Sequence, residues 1–210
     1  MSEKKWLNYG LKVIPYARPL LILVPFGPVE FVYDIKDTEG AKTFDELTDP
    51  FSTKGCFDDI IYYRVIKNSD KEKILIDEKE IANVAAGYVR KRKNQFDITL
   101  NSTWDINVKY STLIHELGHV FCGHLGTVHE CWWKDRSSVS SNIQEIEAES
   151  VSYLVCSRVG LETTSEKYLS DYIKNQSEIP SVSLDTILTV SGYIEQMSST
   201  NFKPKKQAKV

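Results

Sequence analysis

His115-Glu116-Leu117-Gly118-His119 is the stretch on which the reading of the fold turns. Two histidines four residues apart on a helix project from one face, one turn apart, as two ligands of a tetrahedral zinc ion require. Glu116 projects about 100° further round the helix, beside the metal position rather than on it. From there its carboxylate can take a proton from water that zinc has made acidic. Gly118 has no side chain, so a neighbouring strand or a substrate backbone can approach closely, at a cost of about 1 kcal/mol in helix propensity. The pattern uses two of only four histidines among 210 residues. A polar stretch of surface helix would have to do that by accident.

Zinc needs a third protein ligand and an open position. Glu145-Ile146-Glu147-Ala148-Glu149 supplies acids on a second helix, expected from about Asn142 to Val159 and ended by Gly160. Glu145 and Glu149 share a face, and Glu147 points roughly opposite. Geometry favours Glu145 as ligand and Glu149 as the group that orients a histidine ring, with the reverse assignment left open. Glu147 reads as a solvated carboxylate. His124 follows His119 by five residues where the metzincin pattern needs six, and Cys122 stands where that pattern needs glycine. His124 is therefore expected at the helix end, near the last carbonyls. A separate structural zinc on Cys122, His124, His129 and Cys131 matches no common knuckle spacing. Tyr153, one turn beyond Glu149, reads either as a core tyrosine or as a donor toward a developing oxyanion. Arg158 reads as one half of a surface ion pair.

Away from this helix pair, the first third of the chain reads as strands: Leu11 to Pro15, Leu20 to Pro25 and Val29 to Ile35. Turn formers then gather over residues 37–55, where a loop or lobe boundary is expected. Asp77 to Val89 carries helical spacing, with Ile81, Val84 and Ala85 on one face. Phe96 to Leu100 alternates as a half-buried strand does. Ser111 and Thr112 precede the metal-bearing helix, which runs to about Phe121 with Gly123 placed to stop it. Trp132 and Trp133 are expected to pack a loop against the core rather than rim a cleft. Leu161 to Ile173 and Leu184 to Met197 read as two further helices. The charged end from Lys203 is expected to stay disordered.

Bulk composition narrows the classes. With 41% hydrophobic and 26% charged residues the chain is an ordinary folded protein. A net charge of −3 excludes a molecule that binds nucleic acid or anionic lipid through its overall field. The apolar run Leu20 to Val24 is too short for a signal peptide or a membrane span. Cys56, Cys122, Cys131 and Cys156 form no CxxC pair and read as reduced thiols, so a cytoplasmic protein with no membrane partner is expected. Arg90 to Lys93 and the lysines of the tail could meet phosphates, although a solvated charge run is the commoner arrangement.

The stretch Thr112-Leu-Ile-His115-Glu-Leu-Gly-His119, followed by Glu145-Ile-Glu-Ala-Glu149-Ser-Val-Ser-Tyr153-Leu-Val-Cys-Ser-Arg-Val-Gly-Leu161, resembles the ImmA/IrrE-type metallo-endopeptidases. It also resembles the zincin-like half of ArdC-type antirestriction proteins. Upstream, Gly10-Leu-Lys-Val and Val32-Tyr-Asp-Ile-Lys-Asp-Thr38-Glu-Gly40 look like the end of the ArdC-type N-terminal module, which in that family binds single-stranded DNA. The segment that should precede Gly10 is nearly absent, so the module is expected only as a remnant. The resemblance implies a gluzincin-like site: His115, His119 and Glu145 on Zn2+, with Glu116 as general base.

The expected architecture is α+β and zincin-like: a small β-rich N-terminal lobe, an edge strand, the metal-bearing helix and a following helical half. Residues 1–68 are expected to form the lobe, 69–200 the metallopeptidase domain and 201–210 a basic tail. The expected function is zinc-dependent hydrolysis of a peptide bond in a specific, regulatory protein substrate. The rival is an antirestriction-type or single-stranded-DNA-associated binding protein whose zinc is mainly structural.

Overall fold

The apolar runs that open the chain form short antiparallel pairs. The computed structural model describes residues 2–8, 10–23, 29–40, 53–81, 85–163 and 181–205, in two units, Met1–Asp49 and Pro50–Val210. The first unit holds helix α1 (Glu3–Asn8) and strands β1 (Leu11–Val13), β2 (Leu20–Leu23), β3 (Val29–Val32) and β4 (Thr38–Gly40). β1 pairs with β4 and β2 with β3, both antiparallel. Trp6 and Leu11 are buried, and the Trp6 indole N–H donates to the Tyr33 carbonyl at 3.1 Å. Of the sequence-predicted strands, the ends at Val24 and Pro25 lie outside the described residues.

The second unit holds a short pair, β5 (Lys54–Gly55) with β9 (Leu161–Glu162), and a three-stranded sheet. In that sheet β6 (Ile74–Lys79) runs parallel to β8 (Phe96–Asn101), and β7 (Gly87–Lys91) runs antiparallel to it, giving the order β6-β8-β7. β8 is thus the central strand, not an edge. Phe96, Ile98 and Leu100 on it are fully buried. A strand covered this way fixes the start of the next helix closely, because few alternative registers bury the same set.

Residues 77–89 do not form the expected helix. β6 occupies 74–79, β7 begins at Gly87, and residues 82–84 lie outside the described set. The cause is long-range. Asn101, buried at the end of β8, accepts from the Ile81 N–H at 3.3 Å and donates to the Ala85 carbonyl at 3.2 Å. That amide serves backbone groups a local helix would have paired internally, and sheet pairing on both sides of β8 overrides the local spacing.

Among the described residues of this unit, four helices pack on the sheet or on each other. Helix α2 (Asp59–Ser69), to which sequence spacing assigns no element, is capped by Asp58, whose side chain accepts from the Ile60 N–H. Asn68 then donates to the carbonyls of Met197 and Ser199, tying α2 to the far end of the chain. α3 (Ile106–Phe121) starts well before Ser111. Asp105 accepts from the Asn107 and Val108 N–H groups at 2.8 and 3.0 Å, satisfying two donors of the first turn. Gly123, at φ +79°, ends it. A Cβ there would meet the Lys134 carbonyl oxygen at 2.0 Å, so the close approach of the following loop also requires glycine.

α4 (Ser141–Arg158) and α5 (Leu184–Met197) match the expected bounds closely. The expected helix from Leu161 is instead β9 at its start, and residues 164–180 lie outside the described set. Trp132 stacks on Phe121, with centroids 5.7 Å apart, and Trp133 is buried with its indole N–H on the Gly126 carbonyl. This is the packing role expected of the pair. Arg158 forms the expected ion pair, with Glu195 of α5. Of the tail expected from residue 201, Phe202 is buried against Tyr193, and the Lys205 ammonium lies 4.5 Å from the Trp132 ring centroid. Among the described residues no helix is long and apolar enough to cross a membrane.

Candidate metal centre

α3 and α4 meet at Gly118. A Cβ on it would come within 3.2 Å of Ala148 Cα, so the absent side chain lets a helix approach, rather than the strand or substrate backbone expected from sequence. Ala148 lies between Glu145 and Glu149 on α4, and Gly118 lies between His115 and His119 on α3. The close crossing therefore brings Glu145 beside both imidazoles and Glu149 beside that of His115.

His115 Nε2 and His119 Nε2 are 3.1 Å apart. Glu145 Oε2 lies 3.6 Å from the first, and Glu145 Oε1 lies 3.5 Å from the second. Donors about 2.0–2.1 Å from a zinc ion at tetrahedral angles are separated by about 3.3–3.4 Å. The three contacts, the last two made by different oxygens of Glu145, straddle that value, so this donor set is of the right size for a small divalent ion. Two ring nitrogens this close must share a proton or a cation, since facing lone pairs repel. Glu145 stays half-exposed, which leaves the third corner of the triangle open to solvent.

Glu149 does not join the triangle. Its Oε2 accepts from His115 Nδ1–H at 2.8 Å, which turns the Nε2 lone pair inward. Burial pulls the His115 pKa down, but the Glu149 bond and the charges of Glu116, Glu149 and Glu145 outweigh it and hold the ring above its ordinary value. Glu145 is held below its ordinary value by its bond to His119, against the opposing effect of burial. Glu116 is buried and makes a hydrogen bond with the Val89 backbone of β7. Burial raises its pKa, only partly countered by the two imidazoles. A carboxyl raised in this way sits nearer the range where it can both accept and return a proton. Tyr153 is half-buried on α4.

Two residues differ from the sequence expectation. Glu147 is not solvated: its side chain is 0% exposed, and Arg136 donates to both its oxygens at 2.6 and 2.7 Å. The Ser183 N–H adds a third bond at 2.8 Å. His124 is not merely a helix-end residue. It is buried, with Nδ1 3.1 Å from His119 Nδ1 and Nε2 3.0 Å from Glu147 Oε2. The contacts that seal Glu147 come from residues 11 to 36 positions away, and the one that fixes the far side of His124 from 23 positions away. The one local signal was an arginine and a histidine close to the motif and free to be recruited by it.

The four-residue zinc knuckle is not assembled. His129 is exposed beside Glu130, and Cys131 bonds to the Trp133 carbonyl. Cys122, His124 and Glu147 do lie close enough together to bind an ion. However, burial pushes the Cys122 thiol up to about 12, and Arg136 already occupies Glu147 with a positive charge. In the basic cluster, Arg92 is paired with Asp97 and Arg90 lies over the Tyr88 ring.

Fold and site together define an α+β protein with a candidate divalent-metal centre on two facing helices. The sequence matches no protein-family profile and no curated protein. Among solved structures the chain is similar to the Mn(II)-bound crystal structure of the antirestriction protein ArdC from plasmid R388. The identity is 12% and the TM-score 0.37, over 97% of this chain and 81% of that one. A likeness that distant carries no argument about chemistry, which rests on this chain's own side chains.

Proposed function

We propose that the chain is a zincin-like, metal-dependent peptidase, with the site carried by residues 69–200 and a specific protein as substrate. The observation that supports this best is the cluster of His115 Nε2, His119 Nε2 and the two oxygens of Glu145, with contacts of 3.1–3.6 Å, beside a buried acid at Glu116. His115, His119 and Glu145 would hold Zn2+, with Glu149 orienting the His115 ring. The same ligands accept other divalent ions such as manganese. A metal bound there supplies Lewis-acid polarisation of a carbonyl and lowers the pKa of water.

The chain's own residues do the rest. Glu116 accepts a proton from the attacking water as its oxygen adds to the scissile carbonyl carbon. It then returns that proton to the amine as the C–N bond breaks. A structural site needs no such base, and this favours hydrolysis over a purely binding role. Tyr153 is assigned a secondary part, donating to the oxyanion that develops on the carbonyl oxygen.

Replacement tests the reading directly. Glu116→Gln should keep one metal ion per chain and lose hydrolysis of a sensitive substrate by at least about a hundredfold. His119→Ala should lose both metal and activity. A Gln variant as active as the parent ends the mechanism. A parent that binds metal, cleaves nothing and retains single-stranded DNA in a salt-dependent manner favours the antirestriction-type alternative.

A further inference from the structure

Glu149 supports His115 directly, whereas His119 meets a deeper set of groups that the proposed reaction does not use. Behind it, in order, stand His124, Glu147 and Arg136, linked by contacts of 3.1, 3.0 and 2.6 Å. The side chains of His124 and Glu147 are 1% and 0% exposed, so the link between them is closed to bulk solvent.

We propose that His124, braced by Glu147 and Arg136, is a positioning residue that fixes the His119 proton on Nδ1 and turns its Nε2 lone pair toward the metal position. This role presupposes the metal-binding reading of His115, His119 and Glu145. A carboxylate only accepts hydrogen bonds, so the His124 nitrogen facing Glu147 carries a proton. Arg136 already balances the charge of Glu147, so a second cation at His124 would be buried without a counter-ion. His124 is therefore neutral, with a lone pair on Nδ1. A lone pair bonds only to an N–H, so His119 Nδ1 carries the proton and its Nε2 is left bare. That is the reverse of the tautomer favoured by free histidine, so the protein must impose it. A second ion on Cys122, His124 and Glu147 would undo the arrangement by taking the same lone pair.

The test uses the full-length chain, uniformly labelled with nitrogen-15, metal-free and then titrated with zinc against a chelator. Only four histidines need assignment. Long-range proton–nitrogen spectra of the metal-free parent should show His119 protonated on Nδ1. His124→Phe keeps a ring but offers no acceptor. It should return His119 to the Nε2-protonated form and weaken zinc binding about 10–100-fold, as loss of an orienting partner does. His124→Asn, whose side-chain oxygen can accept from His119, should retain the parent tautomer and recover most of the affinity. A parent with His119 protonated on Nε2 overturns the proposal without any variant. So does a Phe variant whose tautomer and affinity match the parent. A parent that takes up no zinc overturns the metal reading itself, and with it the purpose assigned to His124.

Discussion

Glu145 and Glu147 stand two residues apart on α4 and have opposite fates. Glu145 is 44% exposed and faces two imidazoles that can share a metal with it. Glu147 is sealed against Arg136, His124 and the Ser183 N–H, with no solvent contact. One helix thus carries a carboxylate available to a metal on one face and a carboxylate locked into the packing on the other. The first is kept available at the expense of packing, and the second is satisfied so fully that it cannot act on a substrate. Damage to one should therefore spare the part played by the other.

The largest effect should come from the architectural side. Arg136→Met leaves Glu147 buried without its cation, a change that typically costs about 3–5 kcal/mol. Urea denaturation of the metal-free protein should show a loss of that size. A loss below about 1 kcal/mol would mean that Glu147 finds water or another donor, and the comparison would fail. Glu145→Ala should do the reverse. Its effect on metal-free stability should stay within about 0.5 kcal/mol, as at other partly exposed positions. Zinc affinity should fall by about a hundredfold or more, beyond the range for an orienting residue. Chelator competition measures it, and unchanged affinity would point to Glu149 as the third ligand.

Acid sharpens the same contrast. Burial alone would raise the Glu147 pKa, but bonds from His124, Arg136 and Ser183 outweigh it and hold the carboxyl at about 2, against an ordinary 4.5. Because the folded value is depressed, the stabilisation is fully present above about pH 4.5 and is lost as pH falls toward 2. The gap in urea midpoint between the parent and Arg136→Met should therefore narrow as pH falls below 4.5, where the parent loses the stabilisation of its Glu147 carboxylate. A gap that widens in acid would contradict the assignment.

Legibility in the sequence divides along the same two faces. The gathering of the candidate ligands was legible because a four-residue repeat on a helix is local geometry: His115, His119, Glu145 and Glu149 need only α3, α4 and their facing. α5 was legible because its apolar stripe, from Ile187 to Met197, needs no partner to be seen. Glu147 was not, because its burial depends on a loop arginine 11 residues away and a backbone N–H 36 residues away. Residues 77–89 misled for the same reason. Their local spacing favours a helix, while β8, later in the chain, holds 77–79 and 87–89 as strands and the Asn101 amide binds the backbone of Ile81 and Ala85.

The smallest expected effect probes how the two faces are joined. Gly118→Ala adds a Cβ that would lie 3.2 Å from Ala148 Cα and 3.3 Å from its carbonyl oxygen, so α3 and α4 must separate by a few tenths of an ångström. The gain in helix propensity, about 1 kcal/mol, works against an overpacking cost of about 1–3 kcal/mol, for a net loss of about 1 kcal/mol. Ala148 sits between the two acids that face the histidines, so the same displacement lengthens the Glu145 and Glu149 contacts together. Zinc affinity should fall by less than tenfold, with His124 and Glu147 still joined, since Arg136 and Ser183 hold Glu147 from beyond α3. A variant that loses stability with no change in zinc affinity would mean that Glu145 can follow the metal across the widened gap, and that the reach of its side chain, rather than the helix spacing, sets the site.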